Sequence, residues 1–349
     1  NFFEILHILP FYPSSSDGGF SVTDHKNVNK ELGTWHDIRS LSNHASIMAD
    51  LILNHSSIKG KWFNSFIKEK EDYKNFFFTI DDNFDFSKVI RPRDHKLIQI
   101  YNYKKKNNKL WCTFSHDQID LNFKDPLVLI EFIEIVLLLL SKGVTTFRLD
   151  AVAFIWKKNG TSCVNLPETH EIVKLLRLIV NYINPHALIV TETNLPRKEN
   201  LSYFGNNDEA NWIYNFPLPP LILYTFLFED SSKISGWSKS MPPAQINNAY
   251  LNFIASHDGI GMRPAEGILD NIILDKLFKR VKKNGGKFSF RKVESENKVY
   301  EANITLFDAL KRTDFDKDGI FAVERYIAAH SILLALEGVP AIYFNSLFG

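Results

Sequence analysis

Cysteine is almost absent from this chain of 349 residues, which contains only Cys112 and Cys163. Two cysteines cannot form a disulfide framework, so we expect reduced thiols in a cytoplasmic protein. Long apolar runs are also missing, because the longest run, residues 135–140, is far too short to span a bilayer. The sequence shows no signal peptide. These absences predict a protein that does not associate with a membrane.

An excess of charge of one sign is missing as well. The chain has 41 Lys and Arg residues against 40 Asp and Glu residues, which gives a net charge of +1. That value alone neither favours nor excludes a nucleic-acid partner, but no basic face stands out, and we predict no such partner. A hydrophobic content of 45% with 23% charged residues is typical of an ordinary globular protein.

Both ends of the sequence are strand-like. The first residues, NFFEILHILPFYP, are apolar and do not begin with Met, and the last residues, GVPAIYFNSLFG, give a strand signal that stops abruptly. We therefore expect the sequence to be a fragment with material missing at both ends.

Short β-rich runs alternate with longer segments of helical period along the chain. The predicted strands are residues 2–9, 47–53, 145–151, 187–192, 212–215, 250–256 and 341–344. The predicted helices are residues 34–44, 126–141, 167–183 and 321–336. Alternating strands and helices imply a parallel sheet. Seven such strands favour an α/β fold, a (β/α)₈ TIM barrel that is truncated at both ends and has one strand upstream of residue 1.

Two long polar segments interrupt this alternation. Residues 56–122 and 263–318 each follow a predicted strand, where an insertion into a βα loop would lie on the active-site face of a barrel. The barrel would then consist of residues 1–55, 123–262 and 319–349. Residues 56–122 would form an inserted loop domain, and residues 263–318 a second inserted loop region.

Polar side chains gather where four of the predicted strands end. The segments ADLILNH, FRLDA, LIVTETN and LNFIASHDG supply Asn54, His55, Arg148, Asp150, Glu192, His257 and Asp258. Arg148 and Asp150 share one face of their strand, because residues i and i+2 point the same way. A buried ion pair that holds the strand register would explain these two residues alone. It does not explain the whole set, so we predict a site where these strands end.

Three carboxylates suit the cleavage of a glycosidic bond. One carboxyl group must protonate the leaving oxygen, and another must face the oxocarbenium-like anomeric carbon. If these two carboxyl groups are about 5–5.5 Å apart, the second acts as a nucleophile and the configuration is retained. The guanidinium of Arg148 would hold Asp150 ionised and oriented. Glu192 would have to be protonated at rest, which requires a pKa raised by burial and by neighbouring carboxylates.

Residues 50–55, FRLDA, TETN and ASHDG resemble, in this order, the four signature regions of the α-amylase superfamily, glycoside hydrolase family 13. The resemblance covers essentially the whole chain. It implies that Asp150 is the nucleophile, Glu192 the general acid/base and Asp258 the third, transition-state-stabilising carboxylate. It also implies that the glucosyl ring is held by His55, Arg148 and His257, and that residues 56–122 are a B-type loop domain.

Further segments resemble the branch of this family that contains sucrose phosphorylase and glucosylglycerate phosphorylase. These segments are LPFYPSSSDGGFSVTDH, IRPR, TFSHDQIDL, NGTSCVNLPETH, ENLSYFG and ASHDGIGMRP. The resemblance implies that Asp17 binds sugar hydroxyls and that Phe20 offers an apolar face to the ring. The segment SSSDGGF alone would also be typical of a turn.

The same resemblance suggests residues for the other substrates. Phe114 and Gln118 are similar to residues on the acceptor side of the site. Arg93 and Tyr300 are similar to residues of mobile loops that engage phosphate. An arginine fork suits the geometry of phosphate, although an RPR segment by itself is also typical of a solvated turn.

The resemblance implies a retaining α-glucoside phosphorylase. The enzyme would transfer a glucosyl group from a small α-glucoside, such as sucrose or glucosylglycerate, to inorganic phosphate as co-substrate, with no organic cofactor. Two alternatives are a hydrolase or transglucosylase with the same three carboxylates, and a non-catalytic barrel scaffold. Residues 314–324 resemble a calcium loop, but Arg325 stands where an EF-hand needs Glu, so we expect no metal.

Overall fold

The computed structural model describes residues 3–93, 95–103, 106–293 and 296–349. The chain divides into two compact units. The first unit consists of Asn1–Thr193 and Tyr203–Asn211, and the second of Asn194–Ser202 and Trp212–Gly349. In the described residues, no helix combines the length and the apolar character needed to cross a bilayer.

The first unit is built around parallel strands. Its described strands are β1 (Ile5–Ile8), β2 (Ser46–Ile52), β3 (His55–Ser57), β4 (Ile98–Tyr103), β5 (Lys106–Trp111), β6 (Gln118–Asp120), β7 (Val144–Asp150) and β8 (Leu188–Thr191). Strands β1, β2, β7 and β8 pair in parallel in that order. Strand β3 pairs antiparallel with β6, and β4 with β5. The register sets Asp50 opposite Arg148, which places the predicted site at the end of β7.

The helices of the first unit cover this sheet. They are α1 (Trp35–Ser42), α2 (Lys61–Ile67), α3 (Pro126–Ser141) and α4 (Pro167–Ile183). Helix α3 begins where it does because Asp125 accepts a hydrogen bond from the backbone N–H of Leu127 at 3.0 Å and Pro126 occupies the first turn. Val128, Phe132 and other apolar side chains of α3 are fully buried. Helices α3 and α4 have the bounds that the sequence predicts.

The second unit combines parallel strands with a separate antiparallel sheet. Its strands are β9 (Trp212–Tyr214), β10 (Ala249–Asn252), β11 (Ile260–Gly261), β12 (Lys287–Val293), β13 (Glu296–Asn303) and β14 (Val339–Pro340). Strand β10 pairs in parallel with β9 and β14, whereas β13 pairs antiparallel with β11 and β12. Its helices are α5 (Arg197–Leu201), α6 (Leu218–Phe228), α7 (Ser232–Ser240), α8 (Asn271–Lys283), α9 (Leu306–Leu310) and α10 (Ala322–Ala335). Helix α6 lies in the core of this unit, because nearly all of its apolar side chains are buried.

Each of the seven predicted barrel strands has a counterpart, but three differ in extent. Strand β1 is Ile5–Ile8, whereas the prediction is residues 2–9, of which residue 2 lies outside the described residues. Strand β10 ends at Asn252 instead of residue 256, so His257 and Asp258 lie in the segment beyond it. Strand β14 is Val339–Pro340 instead of residues 341–344. A Cβ atom at residue 338 would lie 2.4 Å from the carbonyl oxygen of Tyr250 on β10. A glycine at this position therefore allows the backbone before β14 to lie close to β10, which sets the register between these two strands. The division into a barrel and two inserted regions stays a prediction.

Candidate active site

A single arginine joins two carboxylates at the end of the parallel strands. Arg148 Nη1 donates to Asp150 Oδ1 at 2.7 Å and also to Asp50 Oδ1 on the neighbouring strand β2. The other carboxylate oxygen of Asp50 lies 2.9 Å from His7 Nε2 on β1. The predicted pair of Arg148 and Asp150 is therefore present, and it is held in place by a buried Asp50 to which the sequence assigns no role.

The pKa values of these two carboxyl groups move in opposite directions. Burial tends to raise the pKa of Asp50, but Arg148 and His7 outweigh burial and lower it to about 2. Burial raises the pKa of Asp150, and the charge of Asp50 adds to this effect, while Arg148 and His55 oppose it. Arg148 orients Asp150 as expected. Its charge lowers the pKa of that carboxyl, but burial and the charge of Asp50 outweigh this effect, so the pKa of Asp150 lies above its ordinary value.

His55 lies beside this group as a neutral ring. Its Nε2 atom is 3.2 Å from the carbonyl oxygen of Phe20, and its Nδ1 atom is 3.4 Å from the amide nitrogen of Asn54. Nε2 therefore donates to the carbonyl and Nδ1 accepts from the amide. Burial lowers the pKa of His55, although Asp150 and other carboxylates oppose this effect. The ring of Phe20 lies 5.7 Å from Arg148 Cζ, so the predicted glucose-binding side chains His55, Phe20 and Arg148 are neighbours.

Glu192 is held next to the residue that follows Asp150. Ala151 adopts a left-handed conformation with φ 48° and ψ 29°, which is costly for a residue with a side chain. In this turn the backbone N–H of Ala151 donates to Glu192 Oε2 at 3.0 Å. The backbone N–H of Glu192 in turn donates to the carbonyl of Leu149 at 3.1 Å. The structure thus fixes the predicted acid/base beside the predicted nucleophile.

A cavity of about 450 Å³ in the first unit brings together four further predicted residues. Asp17, Arg93, Phe114 and Gln118 all line it. Gln118 Nε2 donates to Asp17 Oδ2 at 2.7 Å. The ring of Phe114 lies 5.3 Å from the ring of His55, measured between centroids. The cavity therefore joins a predicted glucose-binding residue to both predicted acceptor-side residues.

Asp117 organises the loop that carries Asp17, and sequence analysis assigned it no role. Hydroxyl groups of Ser15, Ser16 and Ser21 donate to Asp117 Oδ2 at 2.5, 2.6 and 2.9 Å. The hydroxyl of Ser57 on β3 donates to Oδ1 at 3.1 Å. Burial tends to raise the pKa of Asp117, but the serine hydroxyls outweigh it and lower the pKa. Four serines in the segment 14–21 were a signal for such a partner, but nothing in the sequence identifies which carboxylate it is.

A second buried network was also missed. Lys157 Nζ lies 2.6 Å from Asp120 Oδ2 and donates to Asn54 Oδ1 at 2.8 Å. Asp120 also accepts from the backbone N–H and the hydroxyl of Thr113, at 2.8 and 2.6 Å. Burial lowers the pKa of Lys157, and Asp120 opposes this effect. The network supports Asn54, whose amide contacts His55.

The second unit contains the other three predicted residues. His257 Nε2 lies 3.3 Å from Asp258 Oδ2, and the backbone N–H of Asp258 donates to the hydroxyl of Ser256 at 3.1 Å. His257 and Asp258 line a cavity of about 410 Å³ in this unit. Tyr300 lies on β13, and its hydroxyl accepts a hydrogen bond from Asn194 Nδ2 at 3.4 Å.

The segment that resembles a calcium loop is closed by its own side chains. Asp316 accepts hydrogen bonds from the backbone N–H groups of Gly319, Ile320 and Phe321 and pairs with Arg325 at 2.9 Å. Across the described ranges of the chain, no group of three or more His, Cys, Asp or Glu side chains is placed to hold a metal ion.

Comparisons with known proteins identify relatives over nearly the full length of the chain. Residues 3–259 match the alpha-amylase family model, described as the alpha amylase catalytic domain. The chain is 45% identical over 348 residues to the glucosylglycerate phosphorylase of Allomeiothermus silvanus. The aligned region covers 99% of this chain and 63% of that protein. It is 40% identical over 350 residues to the glucosylglycerate phosphorylase of Escherichia coli. This alignment covers 99% of this chain and 62% of that protein. The chain thus spans about three fifths of the length of these relatives.

A solved structure resembles the whole chain. The sucrose 6F-phosphate phosphorylase from Thermoanaerobacter thermosaccharolyticum superposes with a TM-score of 0.85 at 26% identity, and the match covers 98% of this chain and 69% of that one. The predicted fold class, an α/β protein of the TIM-barrel type, is confirmed by this likeness.

Proposed function

The chain belongs to the alpha-amylase family, and on that premise we propose that the complete protein is a retaining α-glucoside phosphorylase. Its proposed donor is glucosylglycerate, and its proposed product is α-glucose 1-phosphate. The observation that carries the proposal is the name shared by the two bacterial relatives described above, which match this chain over nearly its full length. The contacts around Asp150 and Glu192 support the chemistry.

In the first proposed step, the bond between the anomeric carbon and the leaving oxygen breaks. Glu192 gives its proton to that oxygen, and a carboxylate oxygen of Asp150 bonds to the anomeric carbon as a β-glucosyl ester. The hydrogen bond from Arg148 fixes one oxygen of Asp150, and the backbone N–H of Ala151 fixes one oxygen of Glu192. Asp258 is the proposed third carboxylate, which stabilises the positive charge of the transition state.

In the second proposed step, a phosphate oxygen attacks the anomeric carbon and the ester bond to Asp150 breaks. Glu192 accepts the proton of the incoming phosphate, and α-glucose 1-phosphate leaves. Two inversions give net retention. Arg93 and Tyr300 are the proposed phosphate contacts. The position of Arg93 supports this role, because Arg93 shares a cavity with the acceptor-side residues.

The glucosyl group itself has its own proposed partners. Asp17 binds its hydroxyl groups, Phe20 packs against the ring, and His55, Arg148 and His257 complete the site. Phe114 and Gln118 contact the leaving group. The hydrogen bond between Gln118 and Asp17 supports this arrangement, because it fixes the Asp17 carboxylate at the cavity wall.

The proposed reaction needs no organic cofactor and no partner beyond the glucoside and phosphate. We propose that the protein acts in the cytoplasm, without contact to membranes or nucleic acids. The burial of Cys112 and Cys163 as free thiols supports a reducing compartment.

The test is product analysis of the full-length protein with glucosylglycerate and inorganic phosphate. We expect equal amounts of glycerate and glucose 1-phosphate, the latter as the α-anomer by proton NMR, with a rate that depends on phosphate. Free glucose as the main product at saturating phosphate would establish a hydrolase instead. Transfer of the glucosyl group to added sugars would establish a transglucosylase. A protein without any activity on the glucoside would favour the non-catalytic barrel scaffold.

A further inference from the structure

Lys157 and Asp120 form a buried ion pair that encloses the side-chain amide of Asn54. Lys157 Nζ lies 2.6 Å from Asp120 Oδ2, and only 2% of Lys157 and 0% of Asp120 are exposed. Lys157 Nζ donates to Asn54 Oδ1 at 2.8 Å, and Asn54 Nδ2 donates to Asp120 Oδ2 at 3.0 Å. Such a pair is weak evidence for stability alone, because apolar residues of similar volume often stabilise a core as well.

The two charges allow only one orientation of this amide. An ammonium group can only donate hydrogen bonds, so the atom of Asn54 that faces Lys157 must be the oxygen. A carboxylate can only accept, so the atom that faces Asp120 must be the nitrogen. Either charge alone gives the same result. The two ends of an asparagine amide have nearly the same shape, and here the neighbouring charges fix twice which end is which.

The orientation of Asn54 decides which nitrogen of His55 carries hydrogen. Asn54 Nδ2 lies 3.4 Å from His55 Nδ1, so this ring nitrogen must accept. The hydrogen then lies on Nε2, which donates to the carbonyl oxygen of Phe20 at 3.2 Å. These contacts form a chain of donors that runs in one direction, from the ion pair to the backbone of Phe20. The same loop carries Asp17.

The amide of Asn54 also acts against protonation of the His55 ring. Burial lowers the pKa of His55, whereas the charges of Asp150, Asp120 and Asp17 raise it. A donor directed at Nδ1 leaves no acceptor for a second proton at this atom. If the amide were turned around, it would present an oxygen instead, and both ring nitrogens would then face an acceptor.

We propose that the ion pair of Lys157 and Asp120 is a positioning device for the glucosyl site. It turns the amide of Asn54 so that His55 keeps Nδ1 without hydrogen and directs Nε2–H to the carbonyl of Phe20. The two charged residues and the amide are positioning residues, because each acts through His55. Their role in the reaction rests on the proposed function, which places His55 and Phe20 at the glucosyl ring, whereas the position of the proton does not.

The test is the double variant Lys157→Met/Asp120→Asn of the full-length protein, labelled with ¹⁵N-histidine. The oxygen of the new amide can still accept from the backbone N–H of Thr113, as Asp120 Oδ1 does at 2.8 Å. Its nitrogen then faces Asn54 and requires an oxygen there, so the amide of Asn54 should turn around. We expect ¹H–¹⁵N correlation spectra at neutral pH to show His55 Nδ1 without hydrogen in the wild type and with hydrogen in the double variant. The signal is identified by its loss in His55→Gln.

Two kinds of control separate positioning from stability. Each single variant keeps one of the two charges, and that charge still fixes the amide of Asn54, so His55 should keep its wild-type tautomer even if the protein is less stable. The second control is Lys158→Met/Glu168→Gln, which removes a neighbouring and more exposed ion pair with a contact of 3.1 Å. This variant should leave the signal of His55 unchanged.

The consequence for the reaction is measured with α-glucosyl fluoride, and glucose and glucose 1-phosphate are counted together. This sum does not depend on whether phosphate or water attacks, so a failure of the proposed phosphorylase activity does not decide the test. We expect KM for this donor to rise roughly three- to tenfold in the double variant, as for the loss of one neutral hydrogen bond, with a smaller change in kcat. The surface control should leave both constants unchanged.

The proposal is overturned if His55 Nδ1 carries hydrogen in the wild type, or if it stays without hydrogen in the double variant. It is also overturned if the proton moves and KM keeps its wild-type value. If the wild type cleaves no glucosyl fluoride, the proposed function fails and the histidine spectra alone decide.

Should the double variant fail to fold, Asn54→Asp takes its place. This variant keeps an acceptor for Lys157 and presents an oxygen to His55 Nδ1, so that nitrogen should become protonated. A protonated Nδ1 would support the chain of contacts, and an unchanged Nδ1 would refute it.

Discussion

The proposed nucleophile, Asp150, must be ionised for the first step, in surroundings that favour its neutral form. Asp150 is buried beside the ionised Asp50, and both effects raise its pKa, while Arg148 is shared between the two carboxylates. The hydrogen bond from Arg148 therefore orients Asp150, while the charge of Arg148 only partly offsets the rise in the pKa of that carboxyl. The pH dependence of kcat/KM should therefore show a raised pKa for Asp150.

The substitution Asp50→Asn should extend activity to lower pH. It removes a negative charge next to Asp150 and leaves the Arg148 guanidinium to Asp150 alone, and both changes lower the pKa of the nucleophile. The acid limb of kcat/KM, measured with glucosyl fluoride, should lie above the ordinary aspartate value of about 3.9 in the wild type and move down in the variant. Circular dichroism at each pH checks that the variant is folded. If its acid limb then lies at the same pH as in the wild type, Asp50 does not raise the pKa of Asp150.

Replacing Glu192 by Gln separates its role as an acid from any structural role. Glycerate is a poor leaving group and needs a proton, whereas fluoride needs little help. We expect kcat/KM for glucosylglycerate to fall by about 10²–10⁴-fold, and kcat/KM for glucosyl fluoride to change much less. The amide of Gln can still accept the hydrogen bond from Ala151, so the turn should survive. Equal losses on the two donors would rule out the acid role.

At the scale of elements, the loop that carries Asp17 and Phe20 depends on one carboxylate. In Asp117→Asn the side chain keeps its size but loses its charge and one acceptor oxygen, while four serine hydroxyls still need acceptors. We expect KM for the donor to rise roughly tenfold with a smaller change in kcat, since charged hydrogen bonds are worth about 1.5–3 kcal/mol. The control is Asp85→Asn, an exposed carboxylate of the same inserted region. A KM equal to that of the control would show that Asp117 does not position the loop.

The buried ion pair of Lys157 and Asp120 should behave as a unit. In Lys157→Met the carboxylate of Asp120 stays buried without a cation, which should lower the free energy of unfolding by about 3–5 kcal/mol. Adding Asp120→Asn should restore part of that loss, because the uncompensated charge is then gone. Urea unfolding of the two single variants and the double variant measures the coupling. Strictly additive losses would mean that the two side chains act independently.

The sequence predicted the elements whose signals are local and missed those that depend on distant partners. Helix α3 has an N-cap at Asp125 and a proline in its first turn, and Gly143 with a positive φ follows its C-terminal end, so both ends were predictable. Helix α6 was missed because Pro219 and Pro220 suggest a break. They lie in its first turn, where a missing N–H costs nothing. The pairing of β11 with β13 was missed because Ile260 and Ala302, which lie opposite each other, are far apart in the sequence. The pairing of β12 with β13 is local, but it lies in the segment that the sequence interprets as an inserted loop region.

The same distinction applies to the site residues. Arg148 and Asp150 were predicted as a pair because they are two positions apart on one strand. Asp50 was not predicted as their partner, because it is 98 residues away from Arg148 and only the strand register brings them together. Ser15, Ser16 and Ser21, which donate to Asp117, are likewise about 100 residues distant from it in the sequence.

At the scale of the whole molecule, the proposed function depends on which nucleophile reaches the glucosyl ester. Phosphate is far more dilute than water, so a phosphorylase must bind the anion and exclude water. Arg93 lines the cavity of the acceptor-side residues, where an incoming phosphate would replace the leaving group. In Arg93→Ala we expect the ratio of glucose 1-phosphate to glucose to fall roughly ten- to a hundredfold, since charged hydrogen bonds are worth about 1.5–3 kcal/mol.

This prediction is measured on the full-length protein as the product ratio at several phosphate concentrations. The first step needs no phosphate, so the rate of glycerate release should change much less than the ratio. Lys96→Ala removes an exposed cation of the same inserted region and should leave the ratio unchanged. If Arg93→Ala behaves like this control while the wild type still makes glucose 1-phosphate, phosphate is bound without Arg93.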